Sequence, residues 1–449
     1  MSTFAPLRHA PFRFLLAGRT INSLGNAIAP VALAFAVLDL TGSPSDLGLV
    51  VGVRMTVNVL FLLFGGALAD RMPKHHLMVG SNIAAAVTQG AVAALVLSGT
   101  ATIPLLIGLA GVNGMVSALA MPASSSILPQ LIPAELRQQS NALTRLSFNG
   151  AYIVGAPLGG LIVAGVGAGW GIAVDAVAFL LSAVAFALLR LPPAPAPNRA
   201  VPAPGSAVPA ADSAVPAADS AGPPDSAARP ARSGIFTDLR VGWGEFRSRT
   251  WLWVVVTGFA LINAALSGGM SILGPVVADD TIGRRAWGFV LAAQTVGMVV
   301  GALMAMRLTM RRLLLFGVVC TAFEVLPMLA LGVLPHLGLL LAASFLAGLG
   351  IEQFSVAWET SMQEHVPADK LARVYSYDMV GSFVAIPVGQ VAVGPIAQAV
   401  GVEATLVGAA TLIGLAVVGM LSSPDVRNLR HHRPTSPEPA GAAMEESIG

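Results

Sequence analysis

The sequence predicts an all-α membrane protein, with twelve transmembrane helices arranged as two pseudo-symmetric six-helix halves. Three observations carry that prediction. Of the 449 residues, 55% are hydrophobic and 11% charged, and the mean hydropathy is +0.76, whereas soluble domains carry about 25% charged residues. The apolar residues gather into twelve runs, each close to the roughly 20 residues a helix needs to cross a bilayer. A Pro/Ala/Ser-rich stretch divides the runs six and six, and the two sides echo one another.

The first run, residues 13–38, follows Arg8 and Arg13. It is too long for the apolar core of a signal peptide and lacks a convincing cleavage site, so it reads as a retained span. Runs at 47–69, 75–98, 102–126, 138–166 and 170–190 complete an N-terminal half, residues 1–190, the last two meeting at Gly165-Val166-Gly167-Ala168-Gly169. Residues 191–250 form a linker containing the imperfect repeat Ser206–Asp212 and Ser213–Asp219. Such a composition buries too little apolar area to offset its ordering entropy, so a flexible tether is expected. At its end, residues 234–250 carry Trp243, Phe246, Arg247 and Arg249, which suits a short interfacial helix. Runs at 251–278, 286–306, 312–334, 337–363, 371–399 and 402–422 make the C-terminal half, residues 251–422, and residues 423–449 read as a disordered cytoplasmic tail.

Basic residues set the orientation. Arg8, Arg13, Arg71, Lys74, Arg137, Arg307, Arg311, Arg312, Lys370, Arg373, Arg427 and Arg430 fall on one side. The other carries Asp39, Asp46, Asp279, Asp280 and Glu403, with Arg284 and Arg285 as the exception. Positive charge marks the cytoplasmic side, so both termini are expected there. A net charge of +2 spread over loops gives no footing for nucleic acid. Cys320, the only cysteine, allows no intrachain disulfide and reads as a structural thiol. No metal-ligand pair, nucleotide loop or nucleophile elbow occurs, so neither an enzyme, a cofactor nor ATP-driven pumping is expected.

Polar residues within the runs fall at helical spacing and so share faces. Arg19, Asn22 and Asn26 stripe the first span, and Arg54 and Asn58 pair on the second. Asn113 is alone on the fourth; Asn141, Arg145, Asn149 and Tyr152 line the fifth; Asn263 and Ser267 share the seventh. Such groups face a protein interior or a water-filled cavity, so Arg19, Asn22, Asn26, Arg54, Asn58, Asn113, Arg145, Asn149 and Asn263 are candidates for a substrate cavity. Interhelical hydrogen bonding alone is the competing role, and for single asparagines the two are evenly matched. Intramembrane carboxylates are candidates for proton coupling because a buried carboxyl can exchange a proton as a cavity opens: Glu324, Glu352, Glu359 and Asp378. Glu352 and Glu359 are favoured, since seven-residue spacing puts them on one face where one can pair with an arginine while the other titrates. Asp175 lies nearer the outer end of its span.

Charge at the end of the second run is compressed into Gly65-Gly66-Ala67-Leu68-Ala69-Asp70-Arg71-Met72-Pro73-Lys74. The glycines allow close helix approach, and the charged residues must sit in headgroups or water. This loop resembles the signature of the major facilitator superfamily. Gly155-Ala156-Pro157-Leu158-Gly159-Gly160 in the fifth run is similar to a Gly-Pro-x-x-Gly-Gly signature of that superfamily's antiporters, with the proline displaced by one. Within the superfamily the chain resembles bacterial exporters that include macrolide-efflux pumps and the enterobactin exporter, through Phe12-Arg13-Phe14-Leu15, Ser23-Leu24-Gly25-Asn26, Thr41-Gly42-Ser43 and Val366-Pro367. It departs from them in Asn26, where they often carry Asp, in Pro73, where the loop usually has glycine, and in a fourth span without arginine.

The resemblance implies the major facilitator fold and a plasma-membrane secondary transporter. It would export an amphipathic small molecule, a drug or secondary metabolite, in exchange for protons, with the lipid bilayer as its setting and a monomer as its working form. Gly66, Asp70, Arg71 and Lys74 would form a gating loop, and Gly155, Pro157, Gly159 and Gly160 a helix-packing seam. Two other readings of the residues stay open: a metabolite importer of the same fold, and a non-transporting membrane receptor or scaffold.

Overall fold

The computed structural model describes residues 4–69, 74–189, 243–244, 246–308 and 310–430. Asp70 and Arg71 of the loop, most of the linker and the end of the tail lie outside the described residues. Twelve helical segments run antiparallel in sequence: α1 (Ala10–Thr41), α2 (Pro44–Ala69), α3 (Lys74–Leu97), α4 (Ile103–Leu131), α5 (Arg137–Val166), α6 (Ala168–Ala187), α7 (Thr250–Asp280), α8 (Arg284–Ala305), α9 (Leu313–Val333), α10 (Leu337–His365), α11 (Ala368–Phe383 followed by Ala385–Val400) and α12 (Val402–Ser422). Among the described residues there is no strand. Among the described residues, eleven segments are long and apolar enough to cross a membrane, and α4 contributes the apolar stretch Ile103–Leu119.

Local chemistry explains the boundaries. α1 ends where Gly42 turns left-handed (φ 64°) and its amide caps Leu38 O, a conformation that costs any residue with a Cβ. Gly167 (φ 99°) makes the break between α5 and α6 that the glycine cluster foretells. Prolines account for the irregular interiors, because each removes an amide from the i→i−4 ladder. Pro387 cannot donate to Phe383, and α11 is broken at Val384. Pro275 cannot donate to Ser271, and α7 is a π-helix over Ser267–Leu273. A 3₁₀ turn at Thr321–Glu324 of α9 ends three residues before Pro327.

The outward surface is apolar. Leu60, Val87, Val177, Leu180, Leu415 and Val418 are each half-exposed or more. In water such a belt would drive aggregation, and in a bilayer it meets acyl chains.

The halves meet along two seams related by the internal duplication, α2 with α11 and α5 with α8. In the first, Gly48 lies against Gln390 O and Gly394 against Ser45. In the second, Gly288 lies against Ala156 O and Pro157, and Gly160 against Arg284 O. These approaches cluster at the end of the bundle away from the chain termini. Gly155 and Gly159 face α1 instead, beside Ala27 and Ile28.

Candidate functional site

Among the described residues, the bundle contains at least two chambers. The first, about 530 Å³, sits within the N-terminal half and is lined by Arg19, Asn22 and Asn26 of α1, Arg54 of α2, Ser81 and Asn82 of α3, and Phe148 and Tyr152 of α5. Asn22 Nδ2 donates to Asn82 Oδ1 at 2.8 Å, Asn26 Nδ2 donates to Asn22 Oδ1, and Asn82 Nδ2 donates to Met78 O at 2.8 Å. The amides thus orient one another along the wall. Behind it, Asp175 of α6 is 1% exposed, accepts from Gln89 Nε2 at 2.6 Å, and leaves its Oδ1 without a partner.

The second chamber, about 500 Å³, lies between the halves. Pro30 and Val31 of α1 and Arg54, Met55 and Asn58 of α2 face Met270 and Ser271 of α7, Trp287 and Gln294 of α8, and Gln390 of α11. Both volumes suit a drug-sized ligand. The π-helical turn of α7 carries Met270 and Ser271 into this space, a common use of such turns. Arg54 lines both chambers. Its Nε donates to Asn113 Oδ1 at 3.1 Å, and Asn113 Nδ2 donates to Thr88 Oγ1 at 3.1 Å. Asn113, only 2% exposed, therefore acts behind the arginine and does not line either chamber.

The remaining candidates divide. Asn58 lines the second chamber while donating to Gly114 O at 3.1 Å. Asn263 bonds Ser382 O at 3.0 Å, tying α7 to α11, and lines neither chamber. Arg145 is exposed and Asn149 half-buried outside both linings, with Arg145 in electrostatic reach of Glu352 on α10. Glu359 accepts from Tyr375 OH at 2.9 Å and Gln363 Nε2 at 2.8 Å. Asp378 accepts from Trp358 Nε1 at 3.0 Å and Ser382 Oγ at 3.2 Å. Glu324 is 1% exposed in α9, its Oε2 unbonded, and lines neither chamber. Gly66 lies in α2 and Lys74 opens α3, flanking the undescribed Asp70 and Arg71. Among the described residues no cluster could hold a metal.

Sequence reasoning missed Ser81, Asn82, Trp287, Gln294 and Gln390. Asn82 and Gln89 stand seven apart on the third span, a stripe that spacing could have found. Gln294 and Gln390 are isolated in apolar runs and gave no local signal.

Arg284, exceptional in the charge pattern, joins the halves at the end away from the termini. Its Nη1 donates to Asp39 Oδ2 at 2.9 Å, its Nε to Asp279 Oδ1 at 2.6 Å and its Nη2 to Asp279 Oδ2 at 2.8 Å. The guanidinium also sits 4.9 Å above the Phe35 ring.

Two six-helix halves with polar chambers inside and between them define a polytopic membrane transporter. The chain belongs to the Major Facilitator Superfamily, whose model matches residues 15–389, and it is not an enzyme. It is 25% identical over 410 residues to the multidrug efflux pump Tap of Mycolicibacterium fortuitum, spanning 89% of this chain and 92% of that one. Over 174 residues it is 31% identical to the uncharacterised transporter YfiS of Bacillus subtilis, covering 38% and 40% of the two chains. Among solved structures, the inward-facing, unoccupied bacterial homologue of the human lysosomal transporter Spinster aligns with a TM-score of 0.68 at 14% identity, over 97% of this chain and 100% of its own. The nucleoside transporter NupG aligns equally well, at 0.68 and 12% identity, over 92% and 98%.

Proposed function

We propose that this transporter exports amphipathic small molecules across the plasma membrane in exchange for protons. The observation that carries the reading is a chamber built from both halves, beneath seams closed at the end away from the termini. With both termini cytoplasmic, as the basic residues favour, this is the arrangement that admits a ligand from inside the cell. Rocking of the halves about the chamber would then open the opposite end. Similarity to Tap along most of both chains supports the outward direction. The gating loop at Gly66, Asp70, Arg71 and Lys74 would steady the other state, and the protein would work as a monomer.

The acidic face of α10 supports proton coupling. Glu352 has Arg145 within electrostatic reach from the opposite half, while Glu359 is held by Tyr375 and Gln363. Protonating Glu352 would release its electrostatic attraction to Arg145 across the two halves.

Inside-out vesicles containing the protein and a pH-sensitive dye test this. A proton gradient is imposed and lipophilic antibiotics are added. Ligand-dependent collapse of the gradient, lost in Glu352→Gln, is expected. A gradient unmoved by any compound, with ligand still bound, would rule out proton exchange.

A further inference from the structure

We infer that the transported compound carries an anionic group, gripped by Arg54 at the boundary between the two chambers; this rests on the transport reading above. Among the described residues, Arg54 is the one charged side chain shared by the two linings. Arg19 also lines the first chamber, and among the described residues neither lining contains an aspartate or glutamate. The space a ligand would occupy therefore meets the Arg54 guanidinium and, among the described residues, no lining carboxylate.

The arginine is prepared rather than spent. Its Nε is tied to Asn113, and Asn113 is fixed in turn by Thr88, which orients the planar group. Among the described residues no carboxylate comes within ion-pair distance of it, and none is hydrogen-bonded to its terminal nitrogens. Asp175, whose charge acts on it electrostatically, is held by Gln89 behind the chamber wall. A guanidinium presents paired donors that match a carboxylate, sulfonate or phosphate with two parallel bonds, and a membrane interior makes an unmatched one costly.

The internal duplication sharpens the point. Arg54 follows Gly48 by six residues, and its carbonyl meets Gly114 on α4. Gln294 follows Gly288 by six, and its carbonyl meets Gly348 on α10. The two side chains hold matching places, and both line the chamber between the halves. Helix packing asks the same of both sites, and the C-terminal half satisfies it with a neutral amide. The charge on Arg54 is thus not a packing requirement of that position.

The test uses the purified full-length protein in nanodiscs and two dyes sharing a xanthene core, anionic fluorescein and cationic rhodamine 6G, with binding read by anisotropy and movement read in proteoliposomes. Fluorescein is expected to bind about tenfold or more tightly than rhodamine 6G. Arg54→Gln should abolish that preference, and Arg54→Lys should keep part of it, which guards against loss through misfolding. Equal binding of both dyes, or a preference untouched in Arg54→Gln, would overturn the inference; rhodamine 6G movement would then leave the transport reading intact. Arg54-dependent fluorescein binding with neither dye moved would keep the inference and remove the transport reading. Failure to bind either dye would remove both.

Discussion

Arg284 shows how one residue can carry a conformational preference. It stands in α8 of one half, yet it donates two hydrogen bonds to Asp39 of the other and two to Asp279 of its own. The pair is partly exposed, 24% for the arginine and 46% for Asp39, and exposed pairs contribute about 1 kcal/mol or less. That is small for stability but a shift of up to about fivefold in a two-state equilibrium. Arg284→Gln should therefore raise labelling of Ser271→Cys by an extracellular, membrane-impermeant maleimide by about two- to fivefold. Asp39→Asn should act in the same direction, and the double variant should do no more than Arg284→Gln alone, because the ion pair is already lost in it. Additive effects would show that the two residues act apart. Asn113 poses a different kind of dependence. Asn113→Ala strips Arg54 Nε and Thr88 of their shared partner in a buried place, at a cost of about 1–3 kcal/mol. The expected result is a lower midpoint for thermal unfolding in detergent, together with weaker binding of whatever Arg54 holds.

At the scale of helices, the seams depend on residues without side chains. An added Cβ at Gly288 would collide with Ala156 O and with Pro157 Cα across the α5–α8 seam. The strain exists only while that end is closed, so Gly288→Val should favour the opposite state, raising outside labelling of Ser271→Cys well beyond the effect of Arg284→Gln. Unchanged labelling would mean that the seam yields by backbone shift. Span positions were legible in the sequence because each needs about 20 apolar residues, a local property. Their breaks were legible where Gly or Pro marked them, as at Gly167 and Pro387. Pairing was not. Nothing local tells that Gly155 and Gly159 face α1 while Gly160 and Pro157 face α8, since a single helix turn separates the two partners. The site shows the same division. The stripes found Arg19, Asn22, Asn26, Arg54 and Asn58 on the chambers. Spacing could not separate them from Asn113 and Asn263, whose partners lie 59 and 119 residues away.

At the scale of the whole molecule, the charge of the cargo and the coupling to protons combine into one measurable quantity. If a monoanion leaves the cell as one proton enters, both movements carry positive charge inward in effect, and the cycle transfers two charges. Each charge crossing the membrane is worth about 2.3 kcal/mol per 100 mV, so an interior-negative potential would add about 4.6 kcal/mol per 100 mV to export. A monocation exchanged for one proton transfers no net charge and gains nothing from the potential alone. A single arginine between the chambers would therefore decide whether the transporter draws on voltage as well as on pH. In proteoliposomes oriented with the terminus-bearing face inward, a potassium–valinomycin potential, negative inside and without a pH difference, should drive efflux of an anionic dye severalfold faster than zero potential. Arg54→Gln should remove the anionic flux without conferring voltage dependence on a cationic dye. Anionic efflux indifferent to the potential would require two compensating charges in each cycle, and one-for-one exchange of anion and proton would be wrong.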